Sequence, residues 1–311
     1  MPRRDILILN SVSNIYKIGK QVAHIYRDCL FLYHLKRYLI MKKGFFLLCS
    51  LLIAFSISAA KVDTVAIYSE VMNKSLNCLV ITPNDSSKNY PTTYLLHGHG
   101  GYFGSWLKIK PELRDYSDQY GMIFVCPDGE KSWYWDSPIN SEIKFETYIT
   151  QEVVKYIDSN YPTLKSRDSR AITGLSMGGQ GAMYLAIRHR DIFGIAGSTS
   201  GGVDIRYFPN NWNNKDLLRE KDKNQNIWDE FSIYNLIENL NNGDLKLIID
   251  CGTEDFFLDV NNNLHTKLLK QGIDHDYIIR PGAHDLKYWK YSIEYHLLFF
   301  KNNLEYNELV D

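Results

Sequence analysis

Gly174-Leu175-Ser176-Met177-Gly178-Gly179 constrains this chain more than any other stretch. A short apolar run, Arg170-Ala171-Ile172-Thr173, leads into it, and Gly181-Ala182-Met183-Tyr184-Leu185-Ala186-Ile187 leaves it with helical character. A G-x-S-x-G segment between a strand and a helix reads as a nucleophile elbow. The turn is so tight that side chains two places either side of the serine would clash, and glycine avoids the clash. The hydroxyl then stands above the sheet at the start of a helix, whose dipole favours a developing anion.

Apolar patterning places strands near residues 65–72, 76–82, 92–97, 122–126, 170–175, 193–198, 245–251 and 276–280. Helical patterns fall near 145–159, 178–189, 257–271 and 286–301. Strands that alternate with helices from residue 92 onward imply an α/β fold, with a mostly parallel sheet covered on both faces and an antiparallel start. A hydrophobic content of 45% is ample for such a two-sided core.

An elbow of this kind is accompanied by an oxyanion-hole loop upstream, then an acid and a histidine downstream. Tyr94-Leu95-Leu96-His97-Gly98-His99-Gly100-Gly101 is a strand ending in a glycine-rich bend, which leaves N–H groups free to point at an oxygen. The expected donors are the backbone N–H groups of His99 and Met177. Alone, the bend reads as an ordinary turn with two surface histidines; its place ahead of Ser176 favours the functional reading. Asp255 follows the strand Leu245-Lys246-Leu247-Ile248-Ile249-Asp250 and sits past its carboxyl end, on the active edge of an open α/β sheet. Its rivals are Glu254, which could simply be solvated, and Asp250, which lies within the strand and reads as structural. His284 lies just beyond the strand Asp276-Tyr277-Ile278-Ile279-Arg280, on that same edge, whereas His275 precedes the strand and belongs to the opposite edge. His24, His34, His189, His265 and His296 read as surface or core histidines.

The residue types dictate a chemistry. A serine hydroxyl is a poor nucleophile until a neighbouring imidazole takes its proton. His284 would accept it and later protonate the leaving alkoxide. Asp255 would fix the imidazole tautomer and stabilise the imidazolium. Donors at residues 99 and 177 would hold the tetrahedral oxyanion, each worth on the order of 3 kcal/mol. The pattern describes acyl transfer to water through an acyl-enzyme.

With these residues in place the chain resembles the α/β-hydrolase superfamily. More narrowly it is similar to the esterase D-like group, which includes feruloyl and acetyl-xylan esterases of carbohydrate esterase family 1 and is related to S-formylglutathione hydrolase. The resemblance spans about residues 65–300. It rests on Tyr94-Leu95-Leu96-His97-Gly98, the Ser176 motif, Cys251-Gly252-Thr253-Glu254-Asp255-Phe256 and Pro281-Gly282-Ala283-His284-Asp285. Ser132-Trp133-Tyr134-Trp135-Asp136-Ser137 and the later Tyr148, Glu152 and Tyr156-Ile157-Asp158 belong to it too. It implies an eight-stranded α/β-hydrolase fold with Ser176, Asp255 and His284 as the triad. His99 departs from the group, whose members usually carry a small or apolar residue there; its titratable ring could alter pH dependence.

The first 60 residues read differently. Met41-Lys42-Lys43, an uncharged apolar run from Gly44, and the ending Ser58-Ala59-Ala60 have the layout of a secretory signal peptide. Residues 1–40 make no sense ahead of such a signal and read as an upstream extension from a start taken too early; the alternative is a cytoplasmic extension with a signal anchor. Residues 1–60 hold nine of the 35 Lys and Arg but two of the 36 Asp and Glu, so residues 61–311 keep 26 basic and 34 acidic groups, a net of −8. An acidic domain is a poor partner for nucleic acid or an anionic membrane. Cys49 follows Leu48 where a lipid-anchoring signal needs a small residue, so no stable membrane association is expected after cleavage. Cys78, Cys126 and Cys251 read as buried thiols rather than a disulfide framework. No Cys/His pair has metal-ligand spacing, so neither metal nor cofactor is expected.

Two segments are expected to shape the substrate pocket: the aromatic run Trp133, Tyr134 and Trp135, and a long excursion over residues 203–243 with Tyr207, Trp212, Trp228 and Phe231. For any single aromatic, packing within its loop is the better reading. No long apolar lid argues for a lipase. The expectation is an exported serine esterase, periplasmic or extracellular, removing acetyl or feruloyl groups from plant polysaccharide or oligosaccharide. S-formylglutathione hydrolase, a general short-chain acyl esterase and an acyltransferase related to the mycolyl transferases compete with it. From another class comes a non-catalytic glycan-binding protein on a hydrolase scaffold. Oligomeric state is not readable.

Overall fold

Eight strands form one sheet: β1 (Lys61–Ser69), β2 (Lys74–Thr82), β3 (Thr92–Leu96), β4 (Ile123–Pro127), β5 (Arg170–Gly174), β6 (Ile195–Thr199), β7 (Lys246–Gly252) and β8 (Asp276–Arg280). Their order is β1-β2-β4-β3-β5-β6-β7-β8. The β1–β2 and β2–β4 pairs are antiparallel and every later pair is parallel. The computed structural model describes residues 60–306, and residues 19–43 other than 21 and 25. The described residues of the 19–43 stretch are helical with exposed side chains, and they belong to a unit distinct from the one that carries the sheet. Residues 44–59, which hold most of the expected leader, lie outside the described residues. Among the described residues, no helix is long and apolar enough to cross a membrane.

Helices clothe both faces of the parallel half, so β3, β4, β5 and β6 are buried at every position. The pleat sends alternate residues to opposite faces: Tyr94 and Leu96 join one core cluster, while Leu95 joins the other. The helices that matter here are α1 (Ser105–Ile109), α2 (Leu113–Tyr120), α3 (Val154–Asn160), α4 (Met177–Arg188), α5 (Leu258–Lys270) and α6 (Leu286–Asn303). α4 is buried from Met177 through Ile187, as its run of small and apolar residues on all sides requires.

Register makes the site possible. Leu96 pairs with Gly174, Thr199 with Asp250 and Gly252 with Arg280, and Leu175 bridges to Thr199. The carboxyl ends of β3, β5, β6, β7 and β8 therefore stop nearly level, and their loops share one edge.

The eight expected strands are present in order, with β1 beginning four residues earlier than its pattern suggests. The helix expected over 145–159 runs from Phe145 to Asn160, but Tyr148–Val153 winds as a π turn. Glu152 in that turn accepts the N–H groups of Glu70 and Val71, tying the helix to the β1–β2 hairpin. α1 and α2 have no counterpart among the expected helices. α2 buries only Leu113 and Ser117, too little for an apolar period to register. The excursion after β6 folds into short helical pieces, among them Asn214–Leu218 and Gln225–Glu230. Cys78, Cys126 and Cys251 are free and buried.

One of the tightest backbone contacts in the fold lies beside the elbow, where a Cβ on Gly178 would sit 2.3 Å from the carbonyl oxygen of Leu96. Backbone cannot move aside cheaply there. Gly178→Ala is expected to cost on the order of 2–3 kcal/mol, read as a fall in Tm of roughly 5–10 °C for a domain of this size. An unchanged melting curve would contradict the packing described.

Candidate active site

Ser176 stands between β5 and α4 with φ 56° and ψ −118°, a left-handed conformation that L side chains rarely adopt. Such a residue costs on the order of 1–3 kcal/mol unless its surroundings impose it. Here they do. A Cβ on Gly174 would lie 2.4 Å from the Gly178 backbone, so strand and helix meet at glycine contact. The Ser176 N–H donates to the Thr199 carbonyl at 2.9 Å, and the Gly178 N–H to the Leu175 carbonyl at 2.7 Å. The elbow leaves Ser176 7% exposed, at the floor of a cleft.

His284 and Asp255 reach the same point from the ends of β8 and β7. The His284 Nε2 lies 2.9 Å from the Ser176 Oγ. Its Nδ1 lies 2.9 Å and 3.1 Å from the two carboxylate oxygens of Asp255. Asp255 is 5% exposed and also accepts the Phe257 N–H, which fixes its rotamer. The two loops are laced together: the Thr253 N–H donates to the Arg280 carbonyl and the Glu254 N–H to that of Gly282. Of the three acid candidates, only Asp255 meets His284. Glu254 borders a neighbouring hollow. Asp250 is wholly buried and bonds Ser292 and Arg280, with His296 at 3.4 Å.

The glycine bend after β3 runs alongside the serine: a Cβ on Gly98 would come within 3.4 Å of the Ser176 Cβ. The carbonyls that enter it are engaged. Leu96 accepts from the Trp106 indole and from Leu175, His97 from the Tyr134 hydroxyl, and Gly98 from the Gly101 N–H. The His97 ring is buried and accepts the Gly129 N–H at Nε2, so its Nδ1–H donates to the Gly98 carbonyl. Among the described residues, the N–H groups of His99 and Met177 have no backbone acceptor, and their residues lie on the bend beside the serine and directly after it. Such a pair of free donors can hold an oxyanion. His99 itself is anchored by a 3.0 Å bond from Nε2 to the Asn213 amide oxygen. Burial holds its imidazole below the ordinary value.

The cleft has a volume of about 320 Å³. Its walls are Trp212, Phe256 and Trp289, and two of these close on the base: the Phe256 ring lies 4.3 Å from the His284 ring and Trp289 4.9 Å, edge to face. The excursion over 203–243 thus supplies a wall, as expected, through Trp212. Trp133, Tyr134 and Trp135 do not line the cleft. They are 1%, 0% and 0% exposed, so the pocket role expected of them is corrected to a core role. Trp133 and Tyr134 have φ of 58° and 62°, and this left-handed pair turns the segment inward. Trp133 stacks on Trp135 and backs Trp212 edge-on, while Tyr134 supports the bend that carries His99. Phe256, Trp289 and Asn213 escape a reading of the sequence for site residues. Phe256 adjoins the acid, which is a usable signal; the other two carry none. His275 pairs with His265 at 2.8 Å away from this cleft. Among the described residues, no group of three or more His, Cys, Asp or Glu is placed to hold a metal.

The sequence model of the Esterase family matches residues 69–300. An acetyl esterase of Caldicellulosiruptor saccharolyticus is 30% identical over 244 residues, covering 71% of this chain and 91% of that protein. A ferulic acid esterase of known structure superposes with a TM-score of 0.68 at 27% identity, over 79% of this chain and 99% of its own. An S-formylglutathione hydrolase from Staphylococcus aureus shares the fold, with a TM-score of 0.69 at 22% identity over 78% of this chain and 99% of its own. The chain belongs to the Esterase family: it is a carboxylic ester hydrolase of the serine type on an α/β-hydrolase fold.

With its ring neutral at and above about pH 7, His99 adds no charge beside the bend in that range. His99→Ala is therefore expected to leave the shape of the pH profile of kcat/KM unchanged between about pH 7 and 9. A limb displaced by about one pH unit would contradict the neutral assignment.

Proposed function

We propose that this esterase is exported and removes acetyl or feruloyl groups from plant polysaccharide or oligosaccharide, with Ser176 as nucleophile, His284 as general base and acid, and Asp255 as the carboxylate that orients it. The observation that carries the catalytic part is the unbroken run of hydrogen bonds from Ser176 through His284 to Asp255, each 2.9 Å at its shorter contact. His284 takes the hydroxyl proton as the Ser176 Oγ attacks the ester carbonyl. The developing oxyanion meets the N–H groups of His99 and Met177. His284, now imidazolium, gives its proton to the departing alcohol, and the acyl group stays on Ser176. Water enters, loses a proton to His284, and attacks the acyl-enzyme; collapse returns the serine and frees the acid.

Substrate class is supported by chemistry and kinship together. A cleft of about 320 Å³ walled by Trp212, Phe256 and Trp289 suits a small acyl group or a flat aromatic one. The relatives include one named an acetyl esterase and one named a ferulic acid esterase. Export is supported by the basic Met41-Lys42-Lys43, the apolar run after it and the small residues Ser58-Ala59-Ala60. The net charge of −8 on residues 61–311 disfavours nucleic acid and anionic membranes as partners.

Hydrolysis of p-nitrophenyl acetate, methyl ferulate and acetylated xylan, compared between wild type and Ser176→Ala, tests this. Loss of about 10⁴-fold or more in kcat/KM is expected for the variant, with wild-type turnover of xylan acetate or the ferulate. A variant within about tenfold of wild type would overturn the nucleophile assignment. Serine-dependent turnover of the activated ester alone would overturn the polysaccharide reading.

A further inference from the structure

The cleft over Ser176 does not end at its own walls. Gly101, Ser105, Ile109 and Leu286 also border a second hollow of about 560 Å³. That hollow shares Lys287 and Tyr291 with a third of about 660 Å³, beside Tyr295. The first two make one groove that leads from the nucleophile to the start of α6, whereas the third is also bordered by Glu254, Asp285 and Glu294 and is unsuited to an acidic ligand.

The middle hollow has a distinct chemistry. Tyr102 and Tyr291 flank it and are 47% and 56% exposed, with no core to fill. Lys108, Lys287 and Lys290 border it, and no carboxylate does. Lys290 lies 3.6 Å from Glu112. Among the described residues, the ammonium groups of Lys108 and Lys287 have neither an ion pair nor a hydrogen bond, although the Lys108 backbone N–H donates to the Gly104 carbonyl. A cationic lining runs against the −8 of residues 61–311, so it is local to the mouth of the site.

Free lysines beside exposed aromatic faces fit a chain of sugar rings with occasional carboxylates: the C–H faces of the rings lie on tyrosine and the carboxylates meet ammonium groups. A peptide would want a free sheet edge for its backbone, and the middle hollow is bordered by a glycine bend and by side chains of α1 and α6. A nucleic acid brings a charge at every unit and meets the repulsion of the acidic domain. We infer that this groove binds the polymer portion of the substrate, a glycan bearing uronate groups, with Tyr102 and Tyr291 stacking on rings and Lys108 and Lys287 pairing with carboxylates. The inference rests on the polysaccharide reading of the Ser176 site.

Competitive inhibition of p-nitrophenyl acetate hydrolysis tests it without requiring polysaccharide turnover. The probes are an unacylated xylo-oligosaccharide, the same oligosaccharide with a glucuronate branch, and a glutamate oligomer. Each inhibition constant is read against the hydrolysis rate of the same variant. The glucuronate-bearing sugar is expected to bind about fivefold more tightly than the neutral one, and that preference is expected to vanish at about 0.5 M salt and in the Lys108→Ala/Lys287→Ala variant. Tyr291→Ala is expected to weaken both sugars together. Equal constants for the two sugars, or a glutamate oligomer that binds as well as the acidic sugar, would overturn the inference. Retained preference without any deacylation of xylan would overturn the polysaccharide reading alone, and equal constants with deacylation intact would overturn the groove alone.

Discussion

The left-handed backbone at Ser176 is the constraint on which the site depends, because it is costly and nothing local would hold it. What holds it is packing on every side. Gly174 and Gly178 bring β5 and α4 to backbone contact, and Thr199 on β6 accepts the serine N–H. Beneath the elbow lies a wholly buried polar cluster that joins the same strands to α6. The His296 ring bonds Thr173 through Nδ1 at 2.8 Å and Thr199 through Nε2 at 3.2 Å. Ser292, also on α6, lies 2.9 Å from the Thr199 hydroxyl and donates to Asp250 on β7. Buried polar groups that bond one another specify one arrangement, and every member of this cluster bonds another, although the Asp250 Oδ1 itself has no partner. Three strand ends and the helix that follows His284 are thereby fixed against one another.

That rigidity matters because the three reacting side chains come from three different strands. Each sits on a loop, and loops alone do not hold distances near 3 Å. Parallel register brings the loops to one edge, and the backbone bonds between the Asp255 and His284 loops close the last gap. Aromatic rings then pack the histidine from two sides. Excluding water around an imidazole and a carboxylate strengthens their interaction and keeps the base aimed at the hydroxyl. The oxyanion side is built on another logic: the carbonyls of Leu96, His97 and Gly98 are occupied and anchor the bend, and the N–H of His99, on that bend beside the serine, has no backbone acceptor among the described residues. Tyr134 and His97 contribute there without touching substrate.

The triad and the sheet are legible because both follow from order along the chain. A serine motif, then an acid and a histidine past successive strand ends, leaves few alternatives once the strands run parallel. Asp250 can be set aside for the same reason: it lies inside β7, and the structure gives it buried structural partners. The aromatic run at 133–135 misleads because tryptophan and tyrosine look alike in a pocket wall and in a core. Two successive left-handed residues decide the matter, and no glycine marks them. Trp289 and Asn213 are invisible for a different cause. Each reaches the site from an element with no motif of its own, and only the fold brings them beside His284 and His99. The groove along α6 is equally hidden, since Tyr102 and Lys108 lie far in sequence from Lys287 and Tyr291.

The central claim is that Ser176 and His284 act as one unit, and a double-mutant cycle on kcat/KM tests it most directly. Ser176→Ala and His284→Ala should each lose on the order of 10⁴-fold or more, and the double variant should lose no more than about threefold beyond the weaker single variant. Losses that multiply, or a His284→Ala enzyme that keeps most of its activity, would contradict the account.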